Sequence, residues 1–252
     1  MNLILSGCNG KMGHVISKLV ATNNNCNIVA GIDLKCNNDF DFPVFESPSS
    51  ITCKNADVII DFSHPSLLNT LLDYSINKNL PIVLCTTGYS NKQVQKIKLA
   101  SKKIPIFYSR NMSLGINLLI ELSKKAASIL GKNFDIEIIE KHHNQKIDSP
   151  SGTALMIADE ISTIMKESPQ YVYDRHSYRK KRNDNEIGLH SIRGGTIVGE
   201  HEIIFAGYDE LLSIKHSAQS KEIFASGAIN AGLFLIGKTA GIYTMKDMLS
   251  TC

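Results

Sequence analysis

The chain has 252 residues, 43% of them hydrophobic and 20% charged, a balance that excludes intrinsic disorder and leaves room for one large domain or two small ones. Lysine and arginine exceed aspartate and glutamate by 27 − 24 = 3, too mild an excess to argue for a nucleic-acid or anionic-membrane surface. The cysteines, at 8, 26, 36, 53, 85 and 252, contain no C-x₂-C pair, and no apolar run nears the ~18 residues of a membrane span. The start, MNLILSGCNGKM, has no signal-peptide pattern, so the expectation is a cytoplasmic globule with reduced thiols.

In chain order, Asn2 to Ser6 reads as a strand and Met12 to Ala21 as an amphipathic helix. Strands follow at Ile28 to Ile32 and Asp57 to Asp61, then a helix from Leu67 to Ile76 opened by Pro65-Ser66. Ile82 to Leu84 and Ile104 to Phe107 are strands flanking a helix at Val94 to Ala100. Strands alternating with helices predict right-handed βαβ units and a parallel, Rossmann-like α/β sheet.

After Asn111 the pattern changes. Leu114 to Leu130 reads as one long helix with Leu118, Leu119, Leu122, Ala126 and Ile129 on a common face. Phe134 to Ile139 alternates as a strand, and Thr153 to Met165 is a helix behind a Ser151 N-cap. Ile187 to Ile192, Ile197 to Phe205 and Leu211 to Lys215 read as strands with no helices between them. They predict a second, α+β part built on a mainly antiparallel sheet, closed by a helix from Lys221 to about Leu235. The segment Arg175 to Arg182, RHSYRKKR, is basic enough to touch phosphates, but near-neutral overall charge favours a solvated surface loop.

Gly7-Cys8-Asn9-Gly10-Lys11-Met12-Gly13 lies between the first strand and the first helix and fits G-x-x-G-x-x-G. Glycines permit a tight turn and close backbone approach, and the helix N-terminus offers N–H groups to a pyrophosphate. Asp33 ends the second strand, where an acid bonds a ribose hydroxyl; Lys35 nearby can meet a 2′-phosphate, so both NADH and NADPH are admitted. Loops at 61–65 and at Cys85-Thr86-Thr87-Gly88 follow strand ends, where ligands of open parallel sheets bind; Thr86 and Thr87 are placed to line the nicotinamide end.

The densest polar cluster is Glu140-Lys141-His142-His143-Asn144-Gln145-Lys146-Ile147-Asp148-Ser149-Pro150-Ser151-Gly152-Thr153-Ala154. An imidazole or ammonium beside a bound imine can hand over a proton as hydride arrives, and amides at Ser151-Gly152-Thr153 suit a carboxylate. Metal binding by His142 and His143 is disfavoured, because neighbours on a strand point to opposite faces.

These residues resemble the 4-hydroxy-tetrahydrodipicolinate reductase (dihydrodipicolinate reductase) family over nearly the whole chain. The resemblance runs through GCNGKMG, CTTG at Cys85, EKHHNQKIDSPSGTA, VGEH at Val198 and FASGA at Phe224. It implies NADH- or NADPH-dependent reduction of a small cyclic dicarboxylate, with loss of water, in the diaminopimelate route to lysine, by a homotetramer that touches neither nucleic acid nor membrane. It assigns His142 and Lys146 to proton transfer, and His143, Ser151, Gly152 and Thr153 to the substrate. Gly7, Cys8, Asn9, Gly10, Lys11, Met12, Asp33, Cys85, Thr86, Thr87, Ser109, Arg110, Asn111 and Met112 are assigned to the cofactor; no metal is implied. It further implies a discontinuous nucleotide domain, 1–112 plus 222–252, around a substrate and tetramerisation domain at 113–221. Three positions depart from the family pattern: Cys85 replaces a usual glycine, Met112 a frequent aromatic, and Cys8 a small residue in the turn. Cys8, beside a helix N-terminus, is the first thiol to suspect of reactivity. Two other readings are weighed beside this one. A semialdehyde dehydrogenase needs an activated cysteine or a different base; a nucleotide-sensing regulator leaves the His-His-x-x-Lys and Ser-Gly-Thr segments without a purpose.

Overall fold

The computed structural model describes residues 1–35, 40–53, 55–177 and 179–251. Cys36, Cys252 and Tyr178 of the basic segment therefore lie outside the described residues. In chain order the elements are β1 (Asn2–Ser6), α1 (Lys11–Ala21), β2 (Asn27–Ile32), β3 (Val44–Phe45), β4 (Val58–Asp61), α2 (Leu68–Lys78), β5 (Ile82–Leu84), α3 (Asn91–Ala100) and β6 (Pro105–Tyr108). There follow α4 (Leu114–Leu130), β7 (Asp135–His142), α5 (Gly152–Ser162), β8 (Gln170–Val172), β9 (Glu186–Arg193), β10 (Gly199–Ala206), β11 (Leu211–Ala218), α6 (Glu222–Leu235), β12 (Gly241–Tyr243) and α7 (Met245–Leu249). Among the described residues no helix is long and apolar enough to cross a membrane. The chain forms two compact units, Met1–Leu114 with Lys221–Cys252, and Gly115–Ser220.

The first unit holds a seven-stranded parallel sheet in the order β12-β6-β5-β4-β1-β2-β3. Successive side chains of a strand face opposite ways, and the apolar runs use both directions. Leu3, Leu5, Val58, Ile60, Val83 and Phe107 enter one core with Ile16 of α1 and Ala228 and Leu235 of α6. Ile4, Ile59, Ile82, Leu84 and Ile106 enter the other, with Leu68, Leu71 and Leu72 of α2 and Ile97 of α3. Strand order reverses between β1 and β4, the switch point where open α/β sheets bind ligands. Ser6 is level there with Ile32 and Asp61, which brings the glycine turn, Asp33 and the Asp61 loop to one edge. The short β12 has no helical or alternating signature of its own and was not foreseen.

The second unit holds a five-stranded sheet in the order β11-β10-β7-β9-β8. It is mixed, which corrects the mainly antiparallel expectation: β10 pairs antiparallel with β11 and β7, but β7–β9 and β8–β9 are parallel. The consecutive β9 and β10 are not neighbours, because β7 inserts between them. The face of α4 also differs. Ile116, Leu119, Ile120, Ser123, Ala126 and Ala127 are buried, whereas Leu118, Leu122 and Ile129 are 49%, 48% and 69% exposed. The true stripe lies about a quarter turn away at ~100° per residue. Ser123 disguises it, since its hydroxyl is satisfied within the helix by the Leu119 carbonyl at 2.7 Å.

Candidate active site

The glycine turn is built as its spacing demands. Gly7 has φ +80°, and a Cβ there would lie 2.7 Å from the Phe62 carbonyl oxygen at the end of β4. A Cβ on Gly13 would lie 2.2 Å from the Cys8 carbonyl oxygen, so α1 packs directly on the turn. Gly10, the N-cap of α1, has no side chain with which to cap the helix. The turn is thus a cradle that side chains would fill, ending in a bare helix N-terminus, which fits the pyrophosphate of a dinucleotide.

Asp33 is tied into this cradle: its Oδ2 accepts from the Asn9 amide at 2.9 Å and its Oδ1 from the Leu34 amide at 2.8 Å. The Asn9 side chain donates to the Lys35 carbonyl at 2.7 Å. Cys8 does not fit the suspicion of reactivity. It is fully buried, its Sγ 3.8 Å from the Ile32 carbonyl oxygen, and so fills core space.

Met12, Cys85, Thr86, Thr87, Ser109, Arg110, Asn111 and Met112 line one cleft of about 370 Å³ with Phe62, Ser63 and Phe224. Asp61, a buried carboxylate at the end of β4, organises its wall. It accepts from Thr86 Oγ1 at 2.7 Å, Ser63 Oγ at 2.5 Å and Tyr89 Oη at 3.3 Å. Burial, and then the Asp61 charge, push the Cys85 thiol well above its usual range, so Cys85 is an inert wall residue. Met112 is 4% exposed in the core. Its carbonyl oxygen would lie 1.8 Å from a Cβ on Gly227, which explains the glycine of FASGA in α6. The sequence places the 61–65 loop at a ligand-binding strand end but gives Asp61, Phe62 and Ser63 no individual role, and gives Phe224 none, although a lone acid at the end of an apolar strand is a usable signal.

The second cluster lies at the end of β7 in the other unit. His142 Nδ1 stands 2.6 Å from Glu140 Oε2. Glu140, fully buried, also accepts from Arg193 Nη1 at 2.8 Å, Arg193 Nη2 at 2.7 Å and the Ser151 amide at 3.1 Å. Burial would raise this carboxyl, but hydrogen bonds from Arg193, His142 and Ser191 outweigh it and hold it at about 2. For His142, burial outweighs the pull of Glu140 and lowers its pKa, with the Lys146 and Arg193 charges acting in the same direction. Lys146 reaches Asp148 Oδ1 at 2.8 Å. His143 follows β7 in a turn closed by the Lys146 amide on its carbonyl at 3.1 Å.

At the start of α5, Gly152 is exposed and Thr153 half-buried, both at the amino end where an anion is favoured. Ser151 differs from its predicted role as a substrate contact. It is 2% exposed, its Oγ accepts from the Ala154 amide at 3.1 Å and pairs with His201 Nε2 at 3.1 Å, and its amide serves Glu140. Helix capping consumes the hydroxyl, so Ser151 is scaffold. Among the described residues no group of three or more His, Cys, Asp or Glu is arranged to hold a metal ion.

The basic segment is turned inward at two of its arginines. Arg175 donates to Glu137 at 2.7 Å and to the buried Glu186 at 3.0 Å, and Arg182 to Asp135 at 2.7 Å and Glu137 at 3.1 Å. Their charge is spent on carboxylates of β7 and β9, inside the mixed sheet.

Residues 1–112 match the family "Dihydrodipicolinate reductase, N-terminus" and residues 115–249 the family "Dihydrodipicolinate reductase, C-terminus". A 4-hydroxy-tetrahydrodipicolinate reductase of Clostridium tetani is 51% identical over 100% of this chain and 98% of its own length. One from Caldanaerobacter subterraneus is 51% identical over 99% and 98%. The structure of a dipicolinate-bound dihydrodipicolinate reductase from Paenisporosarcina superposes with a TM-score of 0.81 at 26% identity, covering 97% of both chains. A diaminopimelate dehydrogenase of C. glutamicum, 12% identical with a TM-score of 0.58 over 97% of this chain and 92% of its own, shares the fold.

Proposed function

The chain belongs to the dihydrodipicolinate reductase family, and from that premise we propose that it reduces 4-hydroxy-tetrahydrodipicolinate to tetrahydrodipicolinate in the diaminopimelate route to lysine. The enzyme is an oxidoreductase using a nicotinamide cofactor. One observation carries the reading: a single buried carboxylate, Glu140, holds His142 and the amino end of α5 at one end of β7, and its partner Arg193 holds the carbonyl of Asp148, which pairs with Lys146.

In the balanced reaction the hydroxyl leaves as water together with a ring C–H proton, which creates a second ring double bond, and one hydride and one proton then enter the ring. A reduced nicotinamide supplies the hydride when bound. The amino end of α1 meets the cofactor's pyrophosphate, and Asp33 a ribose hydroxyl. Thr86, Thr87, Ser109 and Asn111 offer polar contacts at the nicotinamide end, over an apolar surface of Met12, Phe62, Met112 and Phe224. Asp33 suits the free 2′-hydroxyl of NADH and Lys35 the 2′-phosphate of NADPH, so we propose that both are used.

Gly152 and Thr153 at the head of α5, with His143, hold the substrate carboxylates. The Lys146 ammonium and the His142 imidazole carry protons to and from the ring. The same reading makes the enzyme cytoplasmic and a homotetramer assembled through the mixed sheet, which light scattering of the purified protein tests.

A semialdehyde-dehydrogenase reading finds no support. Its activated thiol is not offered by Cys8 or Cys85, which are buried, with the Cys85 thiol held protonated. The decisive experiment generates the substrate in place and follows NADH and NADPH oxidation separately. Oxidation of both is expected, and oxidation of neither rejects the assignment.

A further inference from the structure

The proton-transfer pair proposed above leaves the chemical role of Glu140, and the glycine of the VGEH segment, unexplained. Glu140 sits two residues before His142 on β7, so both side chains leave the same side of the strand. A wholly buried carboxylate persists only if its lone pairs are satisfied, and Glu140 meets that condition from three elements. Arg193 at the end of β9 grips both oxygens, the Ser151 amide at the head of α5 reaches Oε1, and His142 Nδ1 reaches Oε2. Arg193 Nη2 also donates to the Asp148 carbonyl at 2.8 Å. The loop carrying Lys146 and Asp148 is thereby fastened to the same guanidinium.

We propose that Glu140, clamped by Arg193, is the positioning residue of the reaction. It fixes His142 in the Nδ1–H tautomer, leaves Nε2 as the proton-exchanging atom, and sets that atom in register with the anion-binding head of α5. An ionised carboxylate can only accept, so the 2.6 Å contact makes Nδ1 the donor. The hydrogen bonds that hold Glu140 at about 2 prevent it from taking that proton. Nε2 gains or loses its proton while Nδ1 keeps its own.

The opposite side of the ring fits this assignment. A Cβ on Gly199 would lie 3.2 Å from His142 Nε2. The glycine at the start of β10 therefore keeps that nitrogen uncovered, and His142 retains 12% of its side-chain surface. The other polar groups facing the imidazole are His201, its ring edge-on at 5.3 Å, and the Lys146 and Arg193 charges. None of them competes for Nδ1.

The inference rests on the reductase reading, but its first test does not need turnover. Imidazole ¹⁵N shifts of the ligand-free wild-type protein report the tautomer directly. A fixed Nδ1–H form of His142 is expected; an Nε2–H form, or averaging between the two, overturns the proposal whether or not the protein is a reductase. The second test is Glu140→Gln, whose amide cannot satisfy both Arg193 and His142. We expect kcat to fall about 10²-fold with the KM for the cofactor unchanged, the pH profile to lose its His142 limb, and the ¹⁵N tautomer signal to average. Should that variant not fold, Gly199→Ala leaves Glu140 intact and covers Nε2. It is expected to lower kcat while keeping the wild-type tautomer. Wild-type kcat and pH profile in either variant sink the idea.

Discussion

The Asp148 carboxylate lies 2.8 Å from the Lys146 ammonium, and the Gly152 amide bonds to the same carboxylate. The Gly152 amide is proposed to hold a substrate carboxylate and the Lys146 ammonium to carry protons to the ring, so Asp148 occupies groups that the substrate needs. The side chain of Asp148 is 59% exposed, and an exposed ion pair contributes no more than about 1 kcal/mol. Replacing it therefore releases the donors at little cost. Asp148→Asn is expected to tighten the binding of dipicolinate, used as a dicarboxylate probe, by up to about fivefold. Calorimetric titration measures this, and weaker binding would mean that Asp148 instead holds Lys146 in place.

Ser151 is scaffold, and its removal is expected to affect stability more than substrate affinity. Ser151→Ala deletes the cap acceptor of the Ala154 amide and the partner of His201 Nε2. Loss of such a cap costs about 1 kcal/mol, with a further contribution from the buried imidazole left unpaired. The expected fall in Tm is roughly 2–8 °C, with KM near the wild-type value. A large rise in KM with unchanged Tm would restore Ser151 as a direct substrate contact.

How much of this arrangement could be read from the chain alone depends on sequence separation. The glycine turn, the parallel strands and the His142 to Thr153 string are local patterns, and their placement follows from periodicity, φ requirements and caps. Glu140 and Arg193 are 53 residues apart and meet only because β7 inserts between β9 and β10. No local pattern encodes that strand order. Asp61 organises Thr86 from 25 residues away by the same route, across the β4–β5 pairing. The misjudged face of α4 has a different cause. Its apolar residues cover a wide arc opposite Asn117, Glu121, Lys124 and Lys125, so hydrophobic spacing alone cannot choose between two stripes within that arc.

His201 makes a prediction for pH. Burial, and after it the charge on His142, push its pKa down to about 3. The unfolded chain takes up this proton near 6.5, whereas the folded protein resists until far lower pH. Stability from this group is therefore complete above about pH 6.5 and is lost as pH falls toward 3, by at most about 1.4 kcal/mol per pH unit. His142, lowered in the same direction, adds to the slope. Urea unfolding between pH 7 and pH 4 is expected to show a shallower decline in His201→Gln than in the wild type. Identical slopes would mean that His201 titrates normally in the fold.

The glycine turn offers a graded test, because its glycines are required for different reasons. At Gly13 a Cβ meets backbone atoms on two sides, 2.2 Å from the Cys8 carbonyl oxygen and 2.4 Å from that of Gly7. Neither neighbour is a flexible side-chain end, so α1 or the turn itself must move. At Gly10 the nearest such atom is the Gly7 carbonyl oxygen at 3.2 Å, and the backbone is extended, as any residue allows. Overpacking against backbone costs about 1–3 kcal/mol, and a shift of the helix N-terminus falls directly on the atoms proposed to hold the pyrophosphate. Gly13→Ala is thus expected to weaken NADH binding at least about tenfold and to lower Tm, while Gly10→Ala keeps the fold and weakens binding less. Fluorescence titration of NADH with thermal melts distinguishes the two. Equal affinity in both variants and the wild type would mean that the cofactor does not rest on this turn.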